Sequence, residues 1–394
     1  MTKPHLMLRP ALHAPPVAPV PDKDLDRRFM AAAIAYGRRN AGRAWPNPSV
    51  GCVLVRTDRG FPEVVGRGVT AAGGRPHAEV LALREAGEAA RGATAYVTLE
   101  PCAHHGRTPP CVDALSAYGV ARVVTGIEDP DHRVAGRGHA MLEAAGVQVT
   151  RGVLARDAAR LHAGHIIRIR EGRPMVTLKM AVSADGYIGR RGAGQVSISG
   201  AISRSFAHGL RSECDAIMVG VGTVLEDDPQ LTCRLPGMES RSPVRVILDS
   251  GARTPVNSRL LATSRDVPTW IFTAPDAPAG RVSALSVAGA RIVMAERDEE
   301  GRLDLRDVLF QLARDGVTSV LVEGGARVAR ALVEDDLVDE AIFVRSPAVI
   351  GEGGVEALAG LPLEAITASP TFVAVERRQL GDDALVHFWR RSIA

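Results

Sequence analysis

Residues 94–111 read TAYVTLEPCAHHGRTPPC. The first six, 94–99, have the β-branched and aromatic make-up of a strand, and Glu100-Pro101 closes it. The strand therefore delivers Cys102 at its C-terminal end, and Cys111 returns after eight intervening residues. Upstream, His77-Ala78-Glu79 opens a segment that reads as a helix over 77–90. Working outward, strands and helices alternate. A helix is expected over 25–39, with Leu25, Phe29, Ala32, Ala33 and Tyr36 on one face. Trp45-Pro46-Asn47-Pro48 breaks it. Strands are expected over 50–55, 122–127 and 147–153, and helices over 112–118 and 140–145. This alternation predicts an α/β sandwich on a largely parallel or mixed sheet.

The polar stretch 168–174 (RIREGRP) carries Gly172 and Pro174 as breakers and marks the expected domain boundary. Beyond it the alternation resumes. Strands are expected over 175–182, 215–221, 244–249, 269–273, 291–295, 319–322, 341–344 and 384–389. Helices are expected over 305–314 and from Gly325 to about residue 333. At 394 residues the chain is long enough for two cores, and its 46% hydrophobic and 24% charged residues are ordinary for a globular protein. A net charge of +3 and 4% aromatics argue against a nucleic-acid partner. No apolar run is long enough to span a bilayer, so no membrane partner is expected. Five widely scattered cysteines fit metal-bound thiolates in a reducing cytoplasm better than a disulfide framework. Residues 1–22, rich in proline and alanine, read as a disordered extension.

A catalytic zinc takes three protein ligands and keeps one position open for water. His77, Cys102 and Cys111 supply one imidazole and two thiolates. Glu79, two residues after His77, is placed to move protons between that water, a ring nitrogen and a leaving amine. Zinc deaminases show this pattern as H-x-E with P-C-x-x-C, although here the cysteines are much farther apart. A purely structural zinc site, with His104 or His105 as fourth ligand, is the other reading of the same residues. In the second half no G-x-G-x-x-G fingerprint occurs. Instead Lys179 to Gly186 (KMAVSADG), Gly220 to Thr232 (GVGTVLEDDPQLT) and Val322-Glu323-Gly324-Gly325 stand out. A strand running into two glycines and then a helix offers free N–H groups to an anion such as a nucleotide phosphate, and is equally the signature of a tight turn.

Together Trp45 to Cys52 (WPNPSVGC), His77-Ala78-Glu79 and the long Glu100 to Cys111 loop resemble the bifunctional deaminase/reductase family of riboflavin biosynthesis. The resemblance continues through Asp129-Pro130 and 134–138 (VAGRG) into the second half. It implies a cytidine-deaminase-like three-layer sandwich over 23–170, followed by a dihydrofolate-reductase-like α/β domain over 171–394. It implies zinc and NADPH as cofactors, a small pyrimidine nucleotide-like substrate, a cytoplasmic location and a homo-oligomer, dimer or tetramer. In the deaminase half it places Glu79 as the proton shuttle, His77, Cys102 and Cys111 on zinc, Asn47 on the pyrimidine, and His104 and Arg107 on the ribose phosphate. In the reductase half it places Lys179, Arg211, Leu231, Arg234 and Glu323 on the substrate. Val182, Thr223, Asp227, Ser250, Gly325, Ala326 and Arg327 would contact NADPH. The resemblance singles out no partner for the 2′-phosphate; by charge and by position at a strand end, Ser250 and the nearby Arg253 are expected to bias the site toward NADPH, a solvated loop arginine being the other reading. The segment Gly194 to Ile198 (GQVSI) lacks the tryptophan that many members of the family carry there.

Overall fold

The computed structural model describes residues 22–104, 109–131 and 135–393, so the expected N-terminal extension lies outside the described residues except for Asp22. The chain forms two compact units. One takes in the described residues of 22–36, 51–69 and 77–154, and the other those of 37–50, 70–76 and 155–393.

The first unit holds strands β1 (Gly51–Arg56), β2 (Glu63–Val69), β3 (Thr94–Leu99), β4 (Arg122–Ile127) and β5 (Gln148–Thr150). Its helices are α1 (Lys23–Gly37), α2 (Ala78–Ala86), α3 (Cys111–Ala117) and α4 (Arg137–Ala144). The sheet is mixed, in the order β2-β1-β3-β4-β5, with β2, β1 and β3 antiparallel and β3, β4 and β5 parallel. β2 was not expected from the sequence. Its EVVGRGV is broken by two glycines, and those glycines are what the fold requires: a Cβ on Gly68 would lie 2.0 Å from the Ala78 carbonyl oxygen, and one on Gly66 2.3 Å from that of Ala82. α2 thus lies directly on β2, which fixes the height of its first turn. α1 is tied to the sheet by a buried ion pair, with Asp26 Oδ2 accepting from Arg122 Nη2 at 2.7 Å.

The second unit adds α5 (Ala155–Leu161), α6 (Ala163–Glu171), β6 (Met175–Val182), β7 (Tyr187–Arg190), α7 (Ala201–Glu213), β8 (Ala216–Gly220), α8 (Val221–Asp227) and β9 (Val244–Leu248). Then come α9 (Arg259–Ala262), β10 (Thr269–Thr273), α10 (Ala279–Val287), β11 (Arg291–Met294), α11 (Leu305–Arg314), β12 (Ser319–Glu323) and α12 (Ala326–Glu334). β13 (Glu340–Arg345), β14 (Gly354–Glu356), α13 (Glu364–Thr367), β15 (Phe372–Leu380) and β16 (Asp383–Arg390) follow. Nine strands form one sheet in the order β11-β10-β9-β8-β12-β6-β13-β16-β15. The central strands are parallel and buried on both faces. Met218, Val246, Phe272 and Val322 belong to one core, while Ile217, Ile247, Ile271 and Leu321 belong to the other. That two-sided burial is why these strands are mostly apolar in sequence rather than alternating. α7 and the hairpin strand β15, whose solvent face is polar, went unread in the sequence.

The polar stretch 168–174 does not separate the two units: it closes α6 and enters β6 within the second. Ala163 and Ile167 are buried with Met175 and Trp389, and Arg168 Nε donates to the Ala313 carbonyl at 2.9 Å. The polarity of 168–174 that suggests a linker comes from side chains such as Arg168 that bond within the second unit.

Candidate active site

α2 begins at Ala78 with His77 as its N-cap, and α3 begins at Cys111, so two of the three expected zinc ligands sit at helix N-termini. Cys102 follows β3. His77 Nδ1 lies 3.3 Å from Cys111 Sγ and 3.6 Å from Cys102 Sγ, and the three ligand atoms all fall within 4.8 Å of one another. Bond arms of ~2.3 Å to sulfur and ~2.0–2.1 Å to nitrogen at a tetrahedral angle place ligand atoms roughly 3.5–3.8 Å apart. The cradle therefore fits one zinc ion with a neutral imidazole and two sulfurs. The Cys111 N–H donates to Cys102 Sγ at 3.2 Å. That bond, the Cys111 thiol and the helix N-terminus favour the thiolate; the hydrogen bond from Cys111 above all holds Cys102 down at about 4.

Glu79, in the first turn of α2, is only 4% exposed, yet it is not one of the clustered ligands. Burial, reinforced by the charge of Cys102 and opposed by His77, pushes its carboxyl up to about 7. A carboxyl poised near neutrality gives and takes protons with little bias, which is what a proton shuttle needs. The second reading, a structural four-ligand site, finds no fourth ligand among the described residues. His104 is exposed, and His105 lies outside the described residues.

Glu100 was quoted in the sequence motif without a role, and the structure gives it one. Its buried carboxylate accepts from the backbone N–H groups of Asp129 (3.2 Å), Gly136 (3.0 Å), Gly138 (2.8 Å) and His139 (3.3 Å). A Cβ on Gly138 would sit 2.2 Å from the Pro101 carbonyl oxygen, so only glycine lets α4 approach the turn that carries Cys102. Glu100→Ala is expected to lower the stability of the first unit by about 2–3 kcal/mol, because it leaves several buried N–H groups unpaired. Urea unfolding at unchanged m-value measures this, and a loss below ~1 kcal/mol would contradict the assignment.

Asn47 lies in the 37–50 segment of the second unit, where its Nδ2 donates to the Gly74 carbonyl at 2.9 Å. Arg107 lies outside the described residues.

In the second unit the structure gathers most of the expected substrate residues at the C-terminal end of β12. Arg211 of α7 makes a two-pronged bond to Glu323, Nε to Oε1 at 2.9 Å and Nη2 to Oε2 at 2.7 Å, and donates Nη1 to the Thr232 carbonyl at 3.1 Å. Lys179 is paired in register with Glu323 across β6 and β12. Burial lowers its pKa, and Glu323 works against that shift. Leu231 is buried with a φ of +54°, and Arg234 is exposed beside Thr232. His208 was not expected: it accepts the Arg234 backbone N–H at Nδ1 and faces the same group of charges.

Gly324 and Gly325 have φ of +74° and +81° and lead into α12 through Ala326 and Arg327. Thr223 Oγ1 lies 3.4 Å from where a Cβ on Gly325 would stand, and the Gly220 nitrogen 3.7 Å from it. The β8–α8 and β12–α12 turns thus meet on adjacent strands, leaving a bare helix N-terminus at which a pyrophosphate fits. Val182 ends β6, Asp227 ends α8 and Ser250 follows β9. Asp185, within the KMAVSADG motif, is structural: it accepts from the N–H groups of Gly351 and Ile350 and from Ser183, the last of which chiefly holds its carboxyl down at about 2.

Residues 23–127 match the cytidine and deoxycytidylate deaminase zinc-binding region, and residues 174–386 match the RibD C-terminal domain. The riboflavin biosynthesis protein RibD of Escherichia coli K12 is 39% identical over 383 residues, covering 92% of this chain and 98% of its own. The chain belongs to the RibD family. The RibD of Aquifex aeolicus is 34% identical over 93% of this chain and 99% of its own. Among solved structures, RibD of Acinetobacter baumannii superposes with a TM-score of 0.81 at 33% identity, covering 94% of this chain and 99% of that one. A Thermotoga maritima structure, titled as a diaminohydroxyphosphoribosylaminopyrimidine deaminase/5-amino-6-(5-phosphoribosylamino)uracil reductase, gives 0.80 at 32% identity over 93% of this chain and 99% of that one. As a member of this family, the chain is a bifunctional enzyme of riboflavin biosynthesis, a zinc-dependent deaminase and an NADPH-dependent reductase. No described helix is long and apolar enough to cross a membrane.

Proposed function

We propose that the first unit hydrolyses the 2-amino group of 2,5-diamino-6-(5-phosphoribosylamino)pyrimidin-4-one, and that the second reduces the ribosyl group of the resulting aminouracil to ribityl. One observation carries the reading: a single chain holds both a three-ligand zinc cradle with a buried, non-ligating carboxylate and a cationic cluster beside a bare helix N-terminus. The two activities named for the Thermotoga maritima relative match those two sites.

His77, Cys102 and Cys111 would hold zinc, a Lewis acid that would bring the pKa of water toward neutrality. Glu79 would accept one proton from that water and pass it to the pyrimidine ring nitrogen, then carry the remaining hydroxyl proton of the adduct to the amine, which leaves as ammonia while the carbonyl forms. Asn47 holds the pyrimidine through its amide, and His104 and Arg107 hold the ribose phosphate. In the second unit NADPH, when bound, would supply hydride to the sugar C1′ carbon of the open-chain imine; ring opening breaks the C1′–O bond, and a proton taken up at the imine nitrogen completes the ribityl amine. Arg211, Arg234 and Lys179 provide the positive field for the phosphorylated substrate, Glu323 orients Arg211, and Leu231 closes against the pyrimidine. Thr223, Asp227, Gly325, Ala326 and Arg327 hold the cofactor's pyrophosphate and nicotinamide half, Val182 lies beside it at the end of β6, and Ser250 reads its adenosine half.

Feeding the purified protein the diaminopyrimidine phosphate tests both steps. Without NADPH, ammonia and the ribosyl aminouracil should accumulate; with NADPH, the ribityl product should replace it. Ammonia release from cytosine or adenine in single-stranded nucleic acid, with none from the free nucleotide, would overturn the reading. The reading extends to a cytoplasmic enzyme that assembles as a homodimer or homotetramer. Sedimentation velocity reads the assembly directly, and a monomer at micromolar concentration would exclude it.

A further inference from the structure

Arg245, near the start of β9, is one of the largest side chains that the second unit buries completely. It alternates with Val244, Val246 and Leu248 of one core and shares its face with Ile247 of the other. Among the described residues no carboxylate pairs with it. Neutral oxygens meet its guanidinium instead. Nη1 donates to the Gln230 carbonyl at 3.3 Å and to Thr263 Oγ1 at 2.8 Å, and Nη2 to the Val267 carbonyl at 2.6 Å. Nε has no partner. Burial pushes its pKa down to about 10, with the more distant Asp266 working against the shift, so the group is still a cation at neutral pH. A cation held out of water without a counter-ion is costly, and an apolar side chain would fill the same space without that cost. What sets Arg245 apart is what it fastens: the loop before β9 and the turn between α9 and β10.

The loop is the one that carries Leu231 and Arg234, which the reductase reading sets against the substrate. Leu231 has a φ of +54°, a conformation that residues other than glycine rarely adopt. That angle turns about the bond from the Leu231 nitrogen, and the Gln230 carbonyl lies in the same planar peptide unit as that nitrogen. Holding the carbonyl therefore holds φ. On the other side of Leu231, the Thr232 carbonyl accepts from Arg211 Nη1 at 3.1 Å. The two carbonyls that flank the substrate-facing residue are thus each held by an arginine, one within the site and one wholly inside the protein. We infer that Arg245 is a positioning residue for the reduction: by gripping the Gln230 carbonyl it keeps Leu231 in its left-handed conformation and sets where Leu231 and Arg234 meet the substrate. It touches neither substrate nor cofactor. A planar fork with several donors can fasten Gln230, Thr263 and Val267 at once, which no single-donor or apolar side chain does. The inference rests on the reductase reading above and adds to it a residue outside the site.

Steady-state kinetics of the full-length protein with the deaminated substrate and NADPH, run well below the unfolding midpoint, test it. In Arg245→Met the KM for the substrate should rise about tenfold, the scale of one charge-assisted hydrogen bond. The KM for NADPH and kcat should stay within about twofold, and ammonia release by the first unit should not change. Arg245→Lys keeps the charge with a single nitrogen, so its substrate KM should rise by a smaller factor, about threefold. A purely structural arginine would lower the unfolding midpoint and leave the substrate KM alone, and that result overturns the inference. So does an equal rise in both KM values, which would mean a general disturbance of the unit. If Arg245→Met does not fold, Arg245→Lys decides: an unchanged substrate KM in it overturns the inference. Where wild type reduces the substrate and the variants match it, only the role of Arg245 falls. If wild type does not reduce the substrate with NADPH, the reductase reading falls and takes this role with it.

Discussion

Glu79→Gln should lower the rate of deamination by ~10²–10⁴-fold while the protein keeps its zinc. The side chain is buried in the first turn of α2 and lies outside the His77, Cys102 and Cys111 cluster. Glutamine preserves its volume and the packing of α2 on β2, so the ligand geometry survives. What is lost is the capacity to accept a proton from water and return it to the leaving amine. Cys111→Ala should behave oppositely, losing metal and activity together, because two ligands cannot hold a catalytic zinc. Metal analysis beside an ammonia assay separates the two variants. Zinc loss in Glu79→Gln would make Glu79 a ligand, and near-normal deamination would remove it from the mechanism. Reduction of the deaminated substrate should persist in both variants, since its residues belong to the other unit.

Glu323→Ala should destabilise the second unit by about 3–5 kcal/mol, the usual cost of stripping one partner from a buried ion pair. Arg211 and Glu323 are 13% and 12% exposed, and Lys179 stands beside the same carboxylate. Removing it leaves two cations facing each other out of water. Glu323→Gln keeps the shape and one acceptor, so it should fold, and its kcat/KM for reduction should fall about tenfold or more through loss of charge-assisted contacts. Chemical denaturation of Glu323→Ala and kinetics of Glu323→Gln supply the two readouts. A stability change below ~1 kcal/mol would show the pair to be well hydrated, and unchanged kinetics in the glutamine variant would remove Glu323 from the substrate site.

The zinc site was legible in the sequence because its chemistry is encoded in residue types that have few other uses together. His77 and Glu79 need only a helix start, and Cys102 needs only the end of β3, both of which local pattern reveals. The two-sided strands of the second unit were legible for a similar reason, since 175–182, 244–248 and 269–273 are short, mostly apolar and rich in β-branched and aromatic residues, with only Thr177, Lys179, Arg245 and the terminal threonines interrupting them. β2 was hidden by Gly66 and Gly68, whose purpose is contact with a helix that comes later in the chain. α5 and α6 were passed over because the polar residues around 168–174 resemble a linker, although Arg168 bonds within the second unit.

The sequence by itself therefore determined the metal, the alternation of layers and the family, since each depends on residues close in the chain or on a period of two or 3.6. Only the tertiary structure decided which distant groups share charge or backbone. Arg211 meets Glu323 across 112 residues, and Glu100 gathers N–H groups from as far as His139. The physical reason is that such pairings follow from sheet order and helix placement. In the second unit the chain lays β12 between β8 and β6, strands far from it in sequence, and no local pattern records that crossing.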